Sequence, residues 1–539
     1  MKKSYILLSS LLVGSIMLTG CNDFLEPKAK SEFVPKDAQA LNELLLGEAY
    51  LLKTSTNFEG FLGLMDDDVA AAPYQVPPEL KNIDYMAVPF TWQSNLWEEL
   101  RQANINIPSY NLYKTHYAKI LGCNAVIDYI GQINDTRENV NSVLAQAYAL
   151  RGFYYLHLVN MFGEPYNVDP DGMGVVLKTT SGIEDNPLAR STVGQVYQQI
   201  FADLHQAESL YESLPASMQW DASFRTNLPM VRLLLSRAYL YTENWSEAAR
   251  YAKTIMDDPR FSYVDLKTVD TKNALGQNVY TDFQSYENSP EVIWPYGNVS
   301  DFCLWRTTYE QTNDRRYIHS YFRASDDLMN SFDATPGDLR KDCYVIRSWF
   351  TIADDEGNLV PMPQAIGKVN YSSQYVAMGS TNNYGRTLRL SEATLNYAEA
   401  RANMPGGDED ALKALNEMRV YRFSFTDYAP LKAEDCPTVC SALCATSVAV
   451  SSATRVTAGL TSVAGACPRS NTCGIPMPIP LSNIPSAREI PSTPSQCPTS
   501  RSSRIPSSYR PNSALYPVQV LTSDYFPLIN IIIHHDCNE

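Results

Sequence analysis

Residues 227–259, NLPMVRLLLSRAYLYTENWSEAARYAKTIMDDP, constrain the fold more than any other stretch of this chain. Apolar residues recur at helical spacing on both sides of Glu243-Asn244, so the run reads as two helices joined there. Small side chains, Ser236, Ala238, Ala248, Ala249 and Ala252, stand where two helices would approach closely. The pattern predicts a tight helical hairpin.

The hairpin resembles a tetratricopeptide repeat, with Ser236, Tyr239 and Ala248 in step with that pattern. Its neighbours are helical too. In residues 141–163, Leu144, Tyr148, Phe153, Tyr155, Leu158 and Phe162 recur at spacings that mostly fit one broad helix face, with a stop at Gly163 before Pro165. In residues 191–214, Ser191 reads as an N-cap, and Val196, Ile200, Leu204, Ala207 and Leu210 fall on one side. A further pair is expected over Arg386 to Arg422, turning at Gly406-Gly407. The fold class is therefore mainly α, built of tetratricopeptide-like hairpins.

The chain's 539 residues could hold more than one domain, and its formal charge of −16 argues against nucleic-acid binding, which needs clustered Lys and Arg. The opening MKKSYILLSSLLVGSIMLTGC has two lysines, an apolar run too short to span a bilayer, and small residues before Cys21. Residues 1–20 read as a signal peptide. Leu18-Thr19-Gly20-Cys21 resembles the lipobox of bacterial lipoproteins, so Cys21 is the expected lipidation site and acyl chains would hold the protein on a membrane surface. A plain secretory signal with a chance cysteine is the alternative.

The expected organisation is an anchored linker over 21–45, a helical core over 46–260, a loop-rich region over 261–385 and a late helix pair over 386–435. The loop-rich region is aromatic and weakly periodic, and structureless stretches of that length inside compact domains generally carry function.

In combination these features resemble the SusD/RagB family of outer-membrane nutrient-binding lipoproteins of Bacteroidetes. The residues that carry the resemblance are CNDFLEP (21–27), RGFYYLHLVNMFGEP (151–165), TVGQVYQQIFADLHQA (192–207), SDDLMNSFDATPGDLRK (325–341) and LRLSEATLNYAEA (388–400). The resemblance implies four tetratricopeptide-like units, a loop-rich face that binds oligosaccharide or another nutrient, and an outward-facing place on the outer membrane. It also implies a partner, a SusC-type TonB-dependent transporter.

A sugar site asks for flat aromatic faces against sugar rings, with amides and charges nearby for the hydroxyls. Two tracts offer them. One has Tyr85, Trp92, Asn95 and Trp97, the other Tyr296, Trp305, Arg306 and Tyr309. Trp92, Trp97, Tyr296, Trp305 and Arg306 are the ligand-binding candidates, and packing in the core is the competing role for each. Trp245 and Trp294 sit in apolar contexts and read as structural. No His-Glu-x-x-His, Gly-x-Ser-x-Gly, Walker or Gly-x-Gly-x-x-Gly motif occurs, and His116, His157, His205 and His319 are scattered. No cofactor or metal is expected, and the chain does not read as an enzyme. A secreted glycoside hydrolase stays open, because two suitably spaced carboxylates could hide among 59 acids, as does a scaffold that binds only protein.

The tail, residues 436–539, breaks the pattern. It holds seven of the 11 cysteines, 17 serines and 13 prolines, without Lys or Trp. Its charge is +2 where the preceding part carries −18. Cys436, Cys440 and Cys444 lack zinc-ligand spacing, and seven cysteines are odd for a disulfide framework. A third reading is translation out of frame. Permitted codons for Ser451 to Pro468, read one base earlier, spell Glu-Leu-Cys-Tyr-Glu-Gly-His-Arg-Trp-Phe-Asp-Leu-Arg-Arg-Arg-Gly-Met-Pro, which is similar to a segment of the family. Loss of one C at Asp435-Cys436 would produce the slip. Such a tail is expected to be disordered or poorly packed. A disulfide module and a real low-complexity tail are the alternatives.

Overall fold

The computed structural model describes residues 35–52, 111–269, 285–298, 324–344 and 384–433 throughout, with shorter pieces elsewhere between 62 and 366. Cys21 and the tail from 436 lie outside the described residues. Everything below belongs to the compact unit that contains Asp37–Arg504.

Helices dominate. The longer ones among the described residues are α1 (Ala38–Glu48), α2 (Leu112–Tyr129), α3 (Arg137–Phe162), α4 (Val193–Glu212), α5 (Leu228–Tyr241), α6 (Trp245–Met256), α7 (Asp326–Asp333), α8 (Leu390–Ala402) and α9 (Asp408–Arg419). Their starts follow from capping chemistry, a side-chain oxygen taking up an orphan amide of the first turn. Asp37, Asn111, Thr136, Asn227, Asn244 and Ser325 each accept such a bond. Helix α4 is capped by Thr192, one residue later than the expected Ser191, because Thr192 and Gln195 satisfy each other's backbone amides reciprocally.

The α5–α6 hairpin forms where the spacing placed it. Ser236 is buried, and its Oγ donates to the Ala248 carbonyl oxygen at 2.9 Å, a contact that only a small side chain permits. Glu243 makes the turn with φ 58°, a left-handed conformation that costs a non-glycine residue of order 1 kcal/mol. Helix α6 packs against α8, and α8 against α9, with Gly406 at φ 71° in the connecting turn.

Helix α3 departs from the one-face expectation. From Ala149 to Val159 every residue is buried, including Arg151 and His157, because α1, α2, α4 and α5 all pack on it. A helix enclosed on every side has no amphipathic stripe. One apolar core joins α1 to α6 and takes in Ile293, Trp294, Leu388 and Leu390, while Val264, Leu266, Phe283, Leu328, Phe332 and Tyr344 form a smaller cluster.

The region read as loop-rich carries short two-stranded antiparallel ladders. Thr308–Thr312 pairs with Arg315–His319 across two residues, Asn313 and Asp314, of good turn-forming type. Strand β1 (Val292–Tyr296) pairs with β2 (Arg386–Arg389) far along the chain.

The α3–α4 connection is a strap. Its residues 176–181 lie along α2 and α3, held by side chains that take up its backbone groups. Tyr155 Oη accepts from Lys178 N at 2.8 Å and donates to Lys178 O at 2.7 Å. Asn124 Nδ2 donates to the carbonyls of Lys178 and Thr180, and Arg151 Nη1 to that of Thr179. At the far end Asp128 accepts from Ser181 N and Oγ, at 2.6 and 2.7 Å.

Candidate functional site

The β1–β2 ladder is a gate that brings together Asn298 and Tyr384, the residues on either side of the tract 299–383 in sequence. Tyr296 faces Arg386 in register, Gly297 N donates to Leu51 O at 2.9 Å, and Gly385 N donates to Gly297 O at 3.1 Å. A Cβ on Gly385 would lie 2.0 Å from the Asn298 carbonyl oxygen, so only glycine lets the two ends approach. Strand β1 is fixed to the helices by Asn227 Nδ2 donating to Ile293 O at 3.0 Å and Trp294 Nε1 donating to Phe224 O at 2.9 Å.

Behind the gate lies a buried ionic cluster. Arg237 on α5 meets Glu392 on α8 with Nη2–Oε1 at 2.6 Å, and Arg422 meets Glu291 at 3.1 Å. Burial pushes the Glu291 carboxyl up, but Arg422, Arg389 and the Val264 amide together hold it below the usual glutamate range. These groups tie α5, β1, α8 and the end of α9 into one support for the tract's base.

The candidate residues fall in different surroundings. Trp92 is half-buried in a turn that its amide closes on Pro89 O at 3.0 Å, with φ at 53°. Left-handed backbone is rare for a bulky residue, and such strain gathers at ligand clamps. Asn95 is exposed nearby in sequence, its Nδ2 donating to Glu99 Oε1 at 2.8 Å. Tyr296 is placed otherwise than expected. It is 1% exposed and stacked on Trp294 at 4.9 Å and 17°, with Phe153 against it at 5.2 Å. Core packing occupies its ring, which is not offered to a ligand. Trp97, Trp305, Arg306 and Tyr85 lie outside the described residues, and Tyr309 is described only as strand backbone.

Trp294 is fully buried, in keeping with a structural role. His116 and His157 are buried as well. Among the described residues no group of His, Cys, Asp and Glu could hold a metal ion. Nor is any described helix long and apolar enough to cross a membrane. Sequence reasoning missed the buried Arg–carboxylate pairs. An arginine inside an apolar helix and Asp203 within the apolar face of α4 were the available signals.

Comparison with known proteins agrees with this architecture. A SusD-like family model, described as "Starch-binding associating with outer membrane", matches residues 51–240. A SusD-like protein P2 of Formosa agariphila is 25% identical over 328 residues, covering 56% of this chain and 60% of that protein's length, so the match spans less than two thirds of the relative. A solved SusD-like carbohydrate-binding protein of Bacteroides vulgatus superposes with a TM-score of 0.54 at 20% identity, over 79% of this chain and 82% of its own. A SusD superfamily protein of Bacteroides thetaiotaomicron gives 0.54 at 21% identity, over 78% and 86%. Surface glycan-binding protein A of the same organism, solved with laminarihexaose, gives 0.51 at 18% identity, over 78% and 89%.

The fold is thus a mainly helical, tetratricopeptide-like one of the SusD type. Residues 51–240 match the SusD-like family model, and the whole fold is similar to that of solved SusD-like proteins.

Proposed function

We propose that this chain is a cell-surface lipoprotein, anchored through acylated Cys21, that binds an oligosaccharide without catalysis and passes it to a SusC-type TonB-dependent transporter. What carries the reading is the strained Trp92 in a fold whose solved relative holds laminarihexaose. Trp92, Trp97 and Trp305 supply ring faces, and Arg306 supplies hydrogen bonds to hydroxyls. The β1–β2 ladder fixes Asn298 and Gly385, which flank in sequence the tract that bears Trp305 and Arg306.

A glycan array probed with the protein tests this directly. Binding to at least one glycan, lost in Trp305→Ala, is expected, with no product released from the glycan that binds. Release of shortened sugar would replace the binding role with hydrolysis, and an empty array would exclude sugar as the nutrient.

A further inference from the structure

The strap along α2 and α3 supports a second lane of chain. After Ser181 the backbone turns back, and by Ser191 it again lies beside the strap's start, where Gly174 N donates to Ser191 O at 2.8 Å and Ser191 N to Val175 O at 2.9 Å. All residues from Gly182 to Arg190 are exposed. Among the described residues, the backbone of Ile183 to Arg190 finds no hydrogen-bond partner, whereas the strap beneath has more than half of its backbone groups bonded. The outer lane is therefore held at both ends on a fixed base with its own polar backbone open.

Its side chains are unusual for a free surface. Ile183 is 69% exposed and Leu188 38% exposed, so two large apolar groups stand in water on one short lane. The two cations of the connection are consumed internally. Lys178 Nζ is closed by Glu184, the Gly182 carbonyl and Thr180 Oγ1, and Arg190 donates to the carbonyls of Phe162, Gly174 and Met173. Asp185, by contrast, has no ion pair among the described residues. What faces outward is apolar and negative, with no free positive group.

We propose that Gly182–Arg190 is a docking surface for a protein partner whose face carries lysines or arginines around an apolar recess. On the reading above that a transporter partners this chain, that face belongs to the transporter. Fixing both ends of the lane, at Ser181 and Ser191, limits the ordering cost of association, and Ile183 and Leu188 are the anchors that would lose water. Asp185 gives the contact its salt dependence.

The test is co-purification of the full tagged chain with its TonB-dependent transporter from detergent-solubilised membranes. Wild-type protein is expected to bring the transporter down, less so at high salt. Ile183→Lys with Leu188→Lys should lower recovery at least tenfold, and Asp185→Lys several-fold. Met218→Lys, at an exposed apolar site on a different segment, should leave it unchanged. Thermal melting of each variant verifies that the fold is intact, and Asp185→Lys alters only one exposed charge. If correctly folded double and Asp185 variants recover the transporter as well as wild type, this surface is not the contact, while the partnership itself stands. If wild-type protein brings down no transporter, the partnership fails and the docking surface with it.

Discussion

The guanidinium of Arg151 meets the carboxylate of Asp203 in two near-parallel bonds, Nε to Oδ2 at 2.8 Å and Nη2 to Oδ1 at 2.7 Å. Both side chains are buried between α3 and α4, and the remaining donor holds Asn124 and the strap. Removing one partner strands the other charge without water, which costs roughly 3–5 kcal/mol. Arg151→Met should lose about that much in urea denaturation, and amide exchange should quicken at residues 178–181. Arg151→Met with Asp203→Leu should recover most of the loss. A double variant as unstable as the single one would contradict this account.

Gly385 faces a rigid obstacle, since the atom that a Cβ would strike is a backbone oxygen at 2.0 Å with its carbon at 2.8 Å. A flexible side chain could swing away, but the Asn298 backbone is held in the gate. Gly385→Ala is therefore expected to cost about 2 kcal/mol or more. Chemical denaturation measures it, and a loss under 0.5 kcal/mol would mean that the gate opens easily.

The buried Glu291 gives the fold an acid dependence whose sign is set by its lowered pKa. The folded value lies below the unfolded one, near 4.3 for a free glutamate. Ionised Glu291 therefore contributes stability fully above the unfolded value, and that contribution fades as pH falls through the folded one. Wild type should exceed Glu291→Gln in stability at pH 7, with the gap narrowing below about pH 4.5. A gap that stays constant down to pH 3 would show that Glu291 is not held ionised by its arginines.

Trp92 should separate binding from stability. Its φ of 53° is comfortable for glycine and strained for tryptophan. Trp92→Gly is expected to gain about 1 kcal/mol of stability through relief of strain, set against greater freedom of the unfolded chain. The same variant should bind glycan roughly tenfold more weakly, about 1.4 kcal/mol. Trp92→Phe keeps a ring and should retain most binding. Equal binding by all three proteins would remove Trp92 from the site.

Local features of this chain were legible in its sequence, and nonlocal ones were not. The α5–α6 hairpin was readable because its signals, small residues and a turn at Glu243-Asn244, lie within one short segment. The same holds for Gly406-Gly407. Helix α3 misled because residues packed on every side leave no periodic stripe to read. Tyr296 misled for a related reason. Its strand, VIWPY, is wholly buried, and the β2 residues that cover it come from far along the chain. Next to a polar, aromatic tract it resembled a loop. The Thr308–Thr312 hairpin had a local signal, Asn313-Asp314, that the surrounding weak periodicity hid.

The last described stretch bears on the reading frame. Val420 is 43% exposed and Phe425 is 85% exposed, two apolar groups standing open just beyond α9 with Lys267 over the Phe425 ring at 5.0 Å. A following amphipathic helix would cover such groups, whereas a segment rich in Pro and Ser has no apolar face to offer. If translation slips at Asp435-Cys436, the nucleotide sequence read one base earlier should encode the Glu-Gly-His-Arg-Trp-Phe-Asp-Leu-Arg-Arg segment. Protein made with the missing C restored should melt at least about 5 °C higher and more cooperatively, because the late helix pair regains a packing partner. Codons that spell no such segment, or a restored protein that melts no higher, would leave the cysteine-rich tail as a genuine part of the protein.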